Sequence, residues 1–283
     1  MNEDLKKIEQ EITELTGKLS ELKREIHKVI VGQEEVLDQL IVAMLASGHI
    51  LVEGMPGLAK TLMIKSISQA LRLDFKRIQF TPDLMPTDIL GTEVIEEDEH
   101  GHKKFKYSKG PIFSNIVLAD EINRTPPKTQ AALLEVMQEY SVTYGGTEYA
   151  MDRPFFILAT QNPVEQSGTF PLPEAQTDRF LLYVLIGYPS ESEETQILKQ
   201  TTGKRPDAIK PVMSGKELIK LQQYTRDIHI EDELIEKVSK LVRLSRPESS
   251  AVDEVKNYID FGAGPRAGQS ANWGKLALHR AVC

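Results

Sequence analysis

Apolar residues in the first 26 positions recur at alternating steps of three and four, which places them on one face of a helix. The series is short for a coiled coil, and Gly17 lies inside it. We therefore expect this helix to pack on its own domain, with pairing to a second subunit as the alternative. The series consists of Leu5, Ile8, Ile12, Leu15, Leu19, Leu22 and Ile26.

From about residue 27 to residue 188 the pattern alternates between short apolar runs and segments with helical periodicity. The helical segments are 34–47, 60–71 and 127–140, the last with Thr125 as its predicted N-cap. Apolar strands separated by helices are typical of a parallel sheet covered on both faces, so the predicted fold class is α/β. The five predicted strands are 50–53, 75–80, 116–119, 155–159 and 181–186.

Two polar stretches interrupt this alternation. Residues 93–109 are highly charged around Gly101 and predict an exposed hairpin. Residues 141–151 predict a second hairpin that turns at Gly145-Gly146.

Beyond Pro189 the sequence predicts only helices. A serine followed three residues later by a glutamate marks a helix start at Ser190 and again at Ser214. We therefore expect three parts, which are an amphipathic helix over 1–26, an α/β core over 27–189 and a smaller all-helical domain over 190–283.

Composition narrows the function classes. The 283 residues include 34 Lys and Arg against 42 Asp and Glu, a net charge of −8, which disfavours a protein that grips nucleic acid. The single cysteine, Cys283, excludes an intrachain disulfide or a thiolate zinc site. The N-terminus lacks the apolar segment of a signal peptide, and no apolar run is long enough to span a bilayer. We expect a cytoplasmic protein without membrane insertion.

A glycine-rich turn follows the first predicted strand and precedes a helix, as in phosphate-binding loops. Such a turn points backbone N–H groups and the positive end of the helix dipole at an anion. Lys60 would reach the β- and γ-phosphates of ATP, and the Thr61 hydroxyl would bind Mg²⁺. Ala59 stands where glycine is usual, and we expect it to have a negative φ as it enters the helix. The predicted nucleotide contacts here are Gly54, Pro56, Gly57, Leu58, Ala59, Lys60, Thr61 and Leu62.

Two further polar groups follow buried strands. Asp120 and Glu121 end the third predicted strand, where Asp120 would hold Mg²⁺ through water and Glu121 would polarise the attacking water. Asn162 follows the fourth strand and could position that water, because open α/β sheets bind ligands at the carboxyl ends of their strands.

Several segments together resemble one family. They are GMPGLAKT, QFTPDLMPTDILG, LADEINRTPPKTQAALLEVMQE, FILATQNPVEQSGTFPLPEAQTDRF and GAGPRA, with the two hairpins. Over about residues 27–270 the chain is similar to the MoxR family of AAA+ ATPases. The resemblance implies an AAA+ P-loop NTPase core with a five-stranded parallel sheet and a smaller helical lid. After Ser270 the sequence departs from the family pattern, so we expect a short lid.

The resemblance also implies further site residues. Asn162 corresponds to sensor 1, and Arg179 corresponds to an arginine finger that reaches a neighbouring subunit's nucleotide. Arg266 corresponds to sensor 2 on the lid, with ATP between core and lid. Val31 and Gly32 belong to a segment that resembles the lining of the adenine pocket. Arg124 is a second candidate for an arginine acting between subunits.

The expected function is ATP hydrolysis, with ATP and Mg²⁺ bound, by a homo-oligomer that the resemblance implies is a hexameric ring. The family implies a chaperone-like role on a protein client, in some cases with a von Willebrand factor A-domain partner. A magnesium-chelatase motor subunit is the first alternative. A nucleic-acid remodeller is disfavoured by the charge of −8, and a switch without turnover is disfavoured by Glu121 and Arg179.

Overall fold

The computed structural model describes residues 3–97, 102–163, 168–203 and 207–282, so the tip of the first hairpin and Cys283 lie outside the described residues. The strands in these ranges are β1 (Ile50–Gly54), β2 (Phe75–Gln79), β3 (Gly91–Glu97), β4 (Lys103–Lys109), β5 (Ile116–Asp120), β6 (Ser141–Tyr144), β7 (Thr147–Ala150), β8 (Phe156–Gln161) and β9 (Leu182–Ile186). The helices are α1 (Glu3–Ile26), α2 (Glu34–Leu45), α3 (Lys60–Ala70), α4 (Pro86–Leu90), α5 (Pro127–Glu139), α6 (Glu174–Thr177), α7 (Glu191–Thr202), α8 (Gly215–Arg226), α9 (Asp232–Leu244), α10 (Asp253–Tyr258) and α11 (Pro265–Val282), with a 3₁₀ turn at Ile122–Arg124.

Five strands form one parallel sheet in the order β2-β5-β8-β1-β9. These are the five strands that the apolar runs predict, so the predicted α/β fold with a five-stranded parallel sheet is confirmed. Because β8 lies between β5 and β1, the carboxyl ends of these three strands meet at one edge of the sheet. That edge is where the predicted phosphate loop and acidic residues belong.

The core lies on both faces of the sheet. Alternate residues of β5 point to opposite sides, as in any strand, so that Ile116 and Leu118 join one buried cluster while Val117 and Ala119 join the other. Buried residues of α1, α2 and α3 belong to the first cluster, and those of α5 belong to the second. Coverage on both faces explains why the central strands β5 and β8 are buried along nearly their whole length.

The first helix packs on its own chain. Leu15, Leu19, Leu22 and Ile26 of α1 are buried in the cluster that also contains residues of α2, α3 and α8, whereas Ile8 is 41% exposed. Packing on its own domain is therefore confirmed for the second half of the helix. Helix α8 joins the same cluster through Leu218 and Leu221, although its sequence falls in the predicted helical domain.

The two predicted hairpins are both confirmed. Strands β3 and β4 pair antiparallel, and so do β6 and β7. Gly145 and Gly146 have φ of 57° and 79°, and positive φ at two central residues is what a type I′ turn requires.

The two predicted helix starts beyond residue 189 are confirmed, and one predicted cap is wrong. Ser190 and Ser214 each accept a hydrogen bond from the backbone N–H three residues on, which starts α7 and α8. Thr125 does not cap α5, because that helix begins one residue later than a Thr125 cap requires, after Pro126. Among the described residues, no helix combines the length and apolar character that crossing a membrane would need.

Candidate functional site

A cavity of about 380 Å³ opens at the carboxyl edge of β1, β5 and β8. It brings together the phosphate-loop residues predicted from the sequence, apart from Gly54, and the polar residues at the ends of β5 and β8. It also contains one residue that the sequence analysis did not predict, Arg77 of β2. The lining residues are Pro56, Gly57, Leu58, Ala59, Lys60, Thr61, Leu62, Arg77, Asp120, Glu121 and Asn162.

The glycine-rich turn connects the end of β1 at Gly54 to the start of α3 at Lys60. The first N–H groups of a helix have no partner within it, so the start of α3 can bind an anion beside the turn. Ala59 is the N-cap and has φ of +55°, so the expected negative φ is wrong. The cause is that α3 begins one residue later than Ala59, which leaves that residue in the left-handed region that alanine adopts only at a cost of about 1 kcal/mol.

Lys60 is one of two cationic side chains in the cavity, and Arg77 is the other. Lys60 Nζ donates a hydrogen bond to the carbonyl oxygen of Gly54 at 2.6 Å. Burial lowers the pKa of Lys60 below its ordinary value, while the nearby charges of Asp120 and Glu121 act in the opposite direction. A partly desolvated ammonium in this position gains from any anion that enters the cavity.

Asp120 is buried at the end of β5, and both of its carboxylate oxygens accept hydrogen bonds. Thr160 of β8 donates from Oγ1 to Oδ1 at 2.6 Å. Arg77 donates to Oδ2 from Nη2 at 2.6 Å and from Nε at 3.0 Å. The neighbouring strands β8 and β2 therefore fix the orientation of this carboxylate.

Glu121 follows β5 with φ of 59°, which turns the chain out of the strand direction. Its Oε2 accepts a hydrogen bond from Gln79 Nε2 at 2.8 Å and lies 3.0 Å from Arg124 Nε. Its backbone N–H donates to Thr160 Oγ1 at 2.8 Å. The candidate base is thus held by residues of β2, β8 and the 3₁₀ turn, and Arg124 pairs with the Glu121 of its own chain.

Arg77, Gln79 and Thr160 are the site residues that the sequence analysis missed. Arg77 and Gln79 are polar residues two positions apart in β2, on either side of buried Ile78. That alternation is a usable signal, because parallel strands buried on both faces are apolar, so two polar residues on one face of β2 indicate an edge strand or polar partners on that face.

Asn162 lies one residue beyond β8, is buried, and lines the same cavity. Its backbone oxygen accepts a hydrogen bond from Asn123 Nδ2 at 3.4 Å. The cavity therefore places an amide near the acidic pair, as the sequence predicted.

The donor chemistry of the cavity fits Mg²⁺. The Thr61 hydroxyl and the Asp120 carboxylate supply hard oxygen ligands, which Mg²⁺ prefers, and it completes its shell with water and phosphate oxygens. Within the described ranges, no group of three or more His, Cys, Asp and Glu side chains could hold a metal ion, so the Mg²⁺ assignment relies on the Thr61 hydroxyl, Asp120, water and phosphate oxygens.

The segment of Val31 and Gly32 lies beside the phosphate loop. Gln33, the next residue, donates from Nε2 to the carbonyl oxygen of Leu58 at 3.5 Å. Gly32 has φ of 64°, and a Cβ atom there would collide with the carboxylate of Glu193 at the start of α7. This segment therefore lies between the loop and the first helix after the sheet.

Arg179 and Arg266 lie elsewhere, in a groove that they line together with His49 and Leu181. His49 and Leu181 immediately precede β1 and β9, so the groove is at the amino edge of the sheet, opposite the Lys60 cavity. The expectation that Arg266 faces ATP between core and lid is not met in this structure. The reason is that α11, which carries Arg266, packs on α2, α8 and α9.

The chain is similar to known proteins over most of its length. A family profile described as "ATPase family associated with various cellular activities (AAA)" matches residues 49–182. The chain is 44% identical over 244 residues to Chaperone MoxR1 of Mycobacterium tuberculosis, covering 86% of this chain and 64% of that protein. It is 40% identical to the uncharacterized protein YeaC of Bacillus subtilis, covering 97% of this chain and 79% of that one.

The chain is also similar to a solved crystal structure. It belongs to a protein from Cytophaga hutchinsonii that was proposed to be an ATPase, and it is 38% identical with a TM-score of 0.90. The match covers 99% of this chain and 84% of that one.

Proposed function

This chain belongs to the MoxR family of AAA+ ATPases, and from that premise we propose that it hydrolyses ATP in the cavity around Lys60. The observation that carries the proposal is that one cavity collects Lys60, Thr61, Asp120 and Glu121 from three separate parts of the sequence. A cation, a hydroxyl and two carboxylates are the groups that phosphoryl transfer to water needs.

Each of these residues has a distinct role in the proposed reaction. Lys60 and the N–H groups at the start of α3 bind the β- and γ-phosphates. Thr61 and Asp120 would hold Mg²⁺, which when bound neutralises charge on the phosphates. Glu121 accepts the proton of the attacking water, and Asn162 orients that water.

The adenosine end of ATP lies, in this proposal, against the segment that contains Val31 and Gly32. That segment contacts the phosphate loop through Gln33 and the start of α7 through Gly32, so it adjoins the loop that lines the cavity.

Arg179 and Arg266 act, in this proposal, at the nucleotide of a second copy. They lie at the amino edge of the sheet, and the five residues of β1 separate that edge from the Lys60 cavity by about 16 Å. An arginine at one edge and a phosphate site at the other suit a homo-oligomeric ring, which the resemblance implies is hexameric. A guanidinium supplied by a neighbour then meets the charge that develops on the transferred phosphoryl group.

The work driven by hydrolysis is proposed to be remodelling of a protein client. A chaperone name is carried by MoxR1, and this chain spans 64% of its length. The β3–β4 hairpin exposes Ile95 and Phe105 opposite one another, at 61% and 73% exposure, which is a surface suited to an apolar polypeptide segment. A von Willebrand factor A-domain partner is proposed on the resemblance alone.

The test is Glu121→Gln, measured by steady-state phosphate release and by titration with a fluorescent ATP analogue. Loss of the base should lower turnover by about 10²- to 10⁴-fold, because general-base catalysis contributes that much. Affinity for the analogue should stay within about threefold of the wild type, since the phosphate-binding groups are unchanged. Glu135→Gln, an exposed change on α5, is the matched control. Wild-type turnover in Glu121→Gln would show that Glu121 is not the base.

A further inference from the structure

Arg77 makes three side-chain hydrogen bonds at the Lys60 cavity. Its guanidinium donates two hydrogen bonds to Asp120 Oδ2, at 2.6 and 3.0 Å, and a third to the side-chain oxygen of Gln79. Gln79 in turn donates to Glu121 at 2.8 Å. Two residues of β2, Arg77 and Gln79, therefore hold both acidic side chains in this structure.

These contacts use nearly all of the accepting capacity of Asp120. Oδ2 receives both Arg77 bonds, and Oδ1 receives the Thr160 hydroxyl at 2.6 Å. A carboxylate oxygen accepts about two hydrogen bonds, so Oδ2 is saturated. Asp120 is also the carboxylate that the proposed function assigns to Mg²⁺. One side chain thus faces two cations, a guanidinium already in contact and a divalent ion that needs the same oxygens.

The exposed fractions of the Asp120 and Arg77 side chains show which of the two can move. The Asp120 side chain is 12% exposed and fixed from two strands, whereas the Arg77 side chain is 48% exposed on β2 at the edge of the sheet. Arginine has a long flexible stem, so Arg77 can leave Asp120 without any change in the core. The contact can therefore open on the arginine side alone.

We propose that Arg77 and Mg²⁺ compete for Asp120, so that the guanidinium holds the carboxylate in the metal-free site and is displaced when Mg²⁺ binds with nucleotide. The inference rests on the proposed function, because it takes Asp120 to be the metal-facing residue. Arg77 is in this account a positioning residue. It keeps Asp120 oriented and neutralised when the site is empty, and it raises the Mg²⁺ concentration that the site requires.

The experiment measures binding of the fluorescent analogue mant-ADP at a series of buffered free Mg²⁺ concentrations. The quantity compared is the free Mg²⁺ concentration at which the tightening of mant-ADP binding is half complete. Arg77→Ala and Arg77→Gln should lower this concentration by about three- to tenfold, the range for a charge-assisted contact with a half-exposed cation. Arg77→Gln keeps a polar side chain next to Asp120, which guards against a folding defect in Arg77→Ala.

Lys76→Ala is the matched control, because Lys76 is an exposed cation on the same strand that is not among the residues lining the cavity. It should leave the half-effect concentration within about twofold of the wild type, since removing a surface charge changes little. A value for both Arg77 variants that is unchanged or higher than the wild type would overturn the proposal. An equal decrease of the half-effect Mg²⁺ concentration in Lys76→Ala would also overturn it. The decrease would then follow from the overall charge of the protein and not from the contact between Arg77 and Asp120.

Asp120→Asn separates failure of this inference from failure of the proposed function. It should raise the half-effect concentration by about tenfold or more, because it removes the charged metal-facing group. If Asp120→Asn behaves as the wild type, the metal assignment is wrong and the inference falls with it. If Asp120→Asn raises the value while the Arg77 variants do not change it, the inference alone is wrong.

Discussion

Lys60 has an environment unlike that of a surface lysine, because its ammonium is partly buried and bonded to a backbone carbonyl inside the loop it belongs to. Lys60→Ala should weaken ATP binding by about 100-fold or more, since charge-assisted bonds contribute about 1.5–3 kcal/mol each. Isothermal titration calorimetry with ATP and Mg²⁺ measures this. Lys65→Ala, one turn further along α3 and exposed, should bind ATP as the wild type does. Retained wild-type affinity in Lys60→Ala would contradict the phosphate role of the loop.

At the scale of single residues, the sequence predicted the groups that lie next to one another in a motif. Lys60, Asp120 and Glu121 follow buried strands, and the carboxyl ends of parallel strands lie at the same edge of a sheet. Their positions in the sequence were therefore enough to predict that they lie close together. Arg77 was missed because it contacts Asp120 43 positions away, through the pairing of β2 with β5. Sequence periodicity identifies strands but does not give their order in the sheet. The predicted negative φ of Ala59 is wrong because the sign of φ depends on the exact residue at which α3 begins.

Among the secondary-structure elements, α1 gives a direct test of packing. Leu22→Ala removes a side chain that is 2% exposed and should lower the free energy of unfolding by about 2–5 kcal/mol, as buried leucine truncations do. Ile8 lies on the same face of α1 but is 41% exposed. Ile8→Ala should therefore lower the free energy of unfolding by less than about 1 kcal/mol. Urea denaturation followed by circular dichroism compares the two. Equal, small effects would mean that α1 does not pack on this domain.

Helices α1 and α8 are also joined by an ion pair whose strength depends on pH. Lys18 Nζ donates to Glu217 Oε1 at 2.6 Å, and the bonds from Lys18 and Ser214 lower the pKa of Glu217 from 4.5 to about 2. Because the pKa is lower in the folded state, the carboxylate stabilises the fold above pH 4.5, and this contribution is lost as the pH falls towards 2.

Glu217→Gln should therefore lower the free energy of unfolding by about 1–2 kcal/mol at pH 7, with the difference shrinking as the pH is lowered to 3. Glu14 pairs with the same lysine at 3.0 Å, but its side chain is 69% exposed. Glu14→Gln should thus cost less than about 0.5 kcal/mol throughout. Urea denaturation at each pH gives both differences. A cost for Glu217→Gln that is the same at pH 3 and pH 7 would contradict the assigned role of its charge.

Hydrophobic periodicity predicted the elements themselves well, because strands and helices that bury one face must follow the spacing of that face. Polar stretches and turn glycines predicted both hairpins, and Gly145 and Gly146 supply the positive φ of the second turn. Periodicity did not predict how α8 and α11 pack, because an amphipathic pattern shows that a helix has a buried face but not what covers it. For this reason the placement of Arg266 away from the Lys60 cavity could be found only in the structure.

At the scale of the whole molecule, the parts of the proposed catalytic machinery lie at opposite edges of one sheet. The phosphate loop, Asp120 and Glu121 are at the carboxyl edge, and Arg179 and Arg266 are at the amino edge. Within the described part of one copy, the side chains at the carboxyl edge do not meet Arg179 and Arg266 in a single cavity. The proposed function therefore requires assembly, with ATP hydrolysed in a site that two copies of the chain complete.

Arg179→Ala alone should bind ATP as the wild type does and hydrolyse it about 10³- to 10⁵-fold more slowly, the contribution of an arginine supplied in trans. Its loss affects only the step in which charge develops on the phosphoryl group. Phosphate release and calorimetry measure the two properties separately. Weakened ATP binding with normal turnover would indicate that Arg179 has a different role.

The most direct test of the central claim is the phosphate-release rate of Arg179→Ala mixed with Lys60→Ala, each nearly inactive alone. In the proposed ring, mixed oligomers contain interfaces with an intact loop on one side and an intact Arg179 on the other, so the mixture should regain activity well above the sum of its parts. Lys60→Ala mixed with a Lys60→Ala, Arg179→Ala double variant has no intact loop and should regain none. Absence of rescue, with mixed oligomers seen by native mass spectrometry, would contradict the shared site.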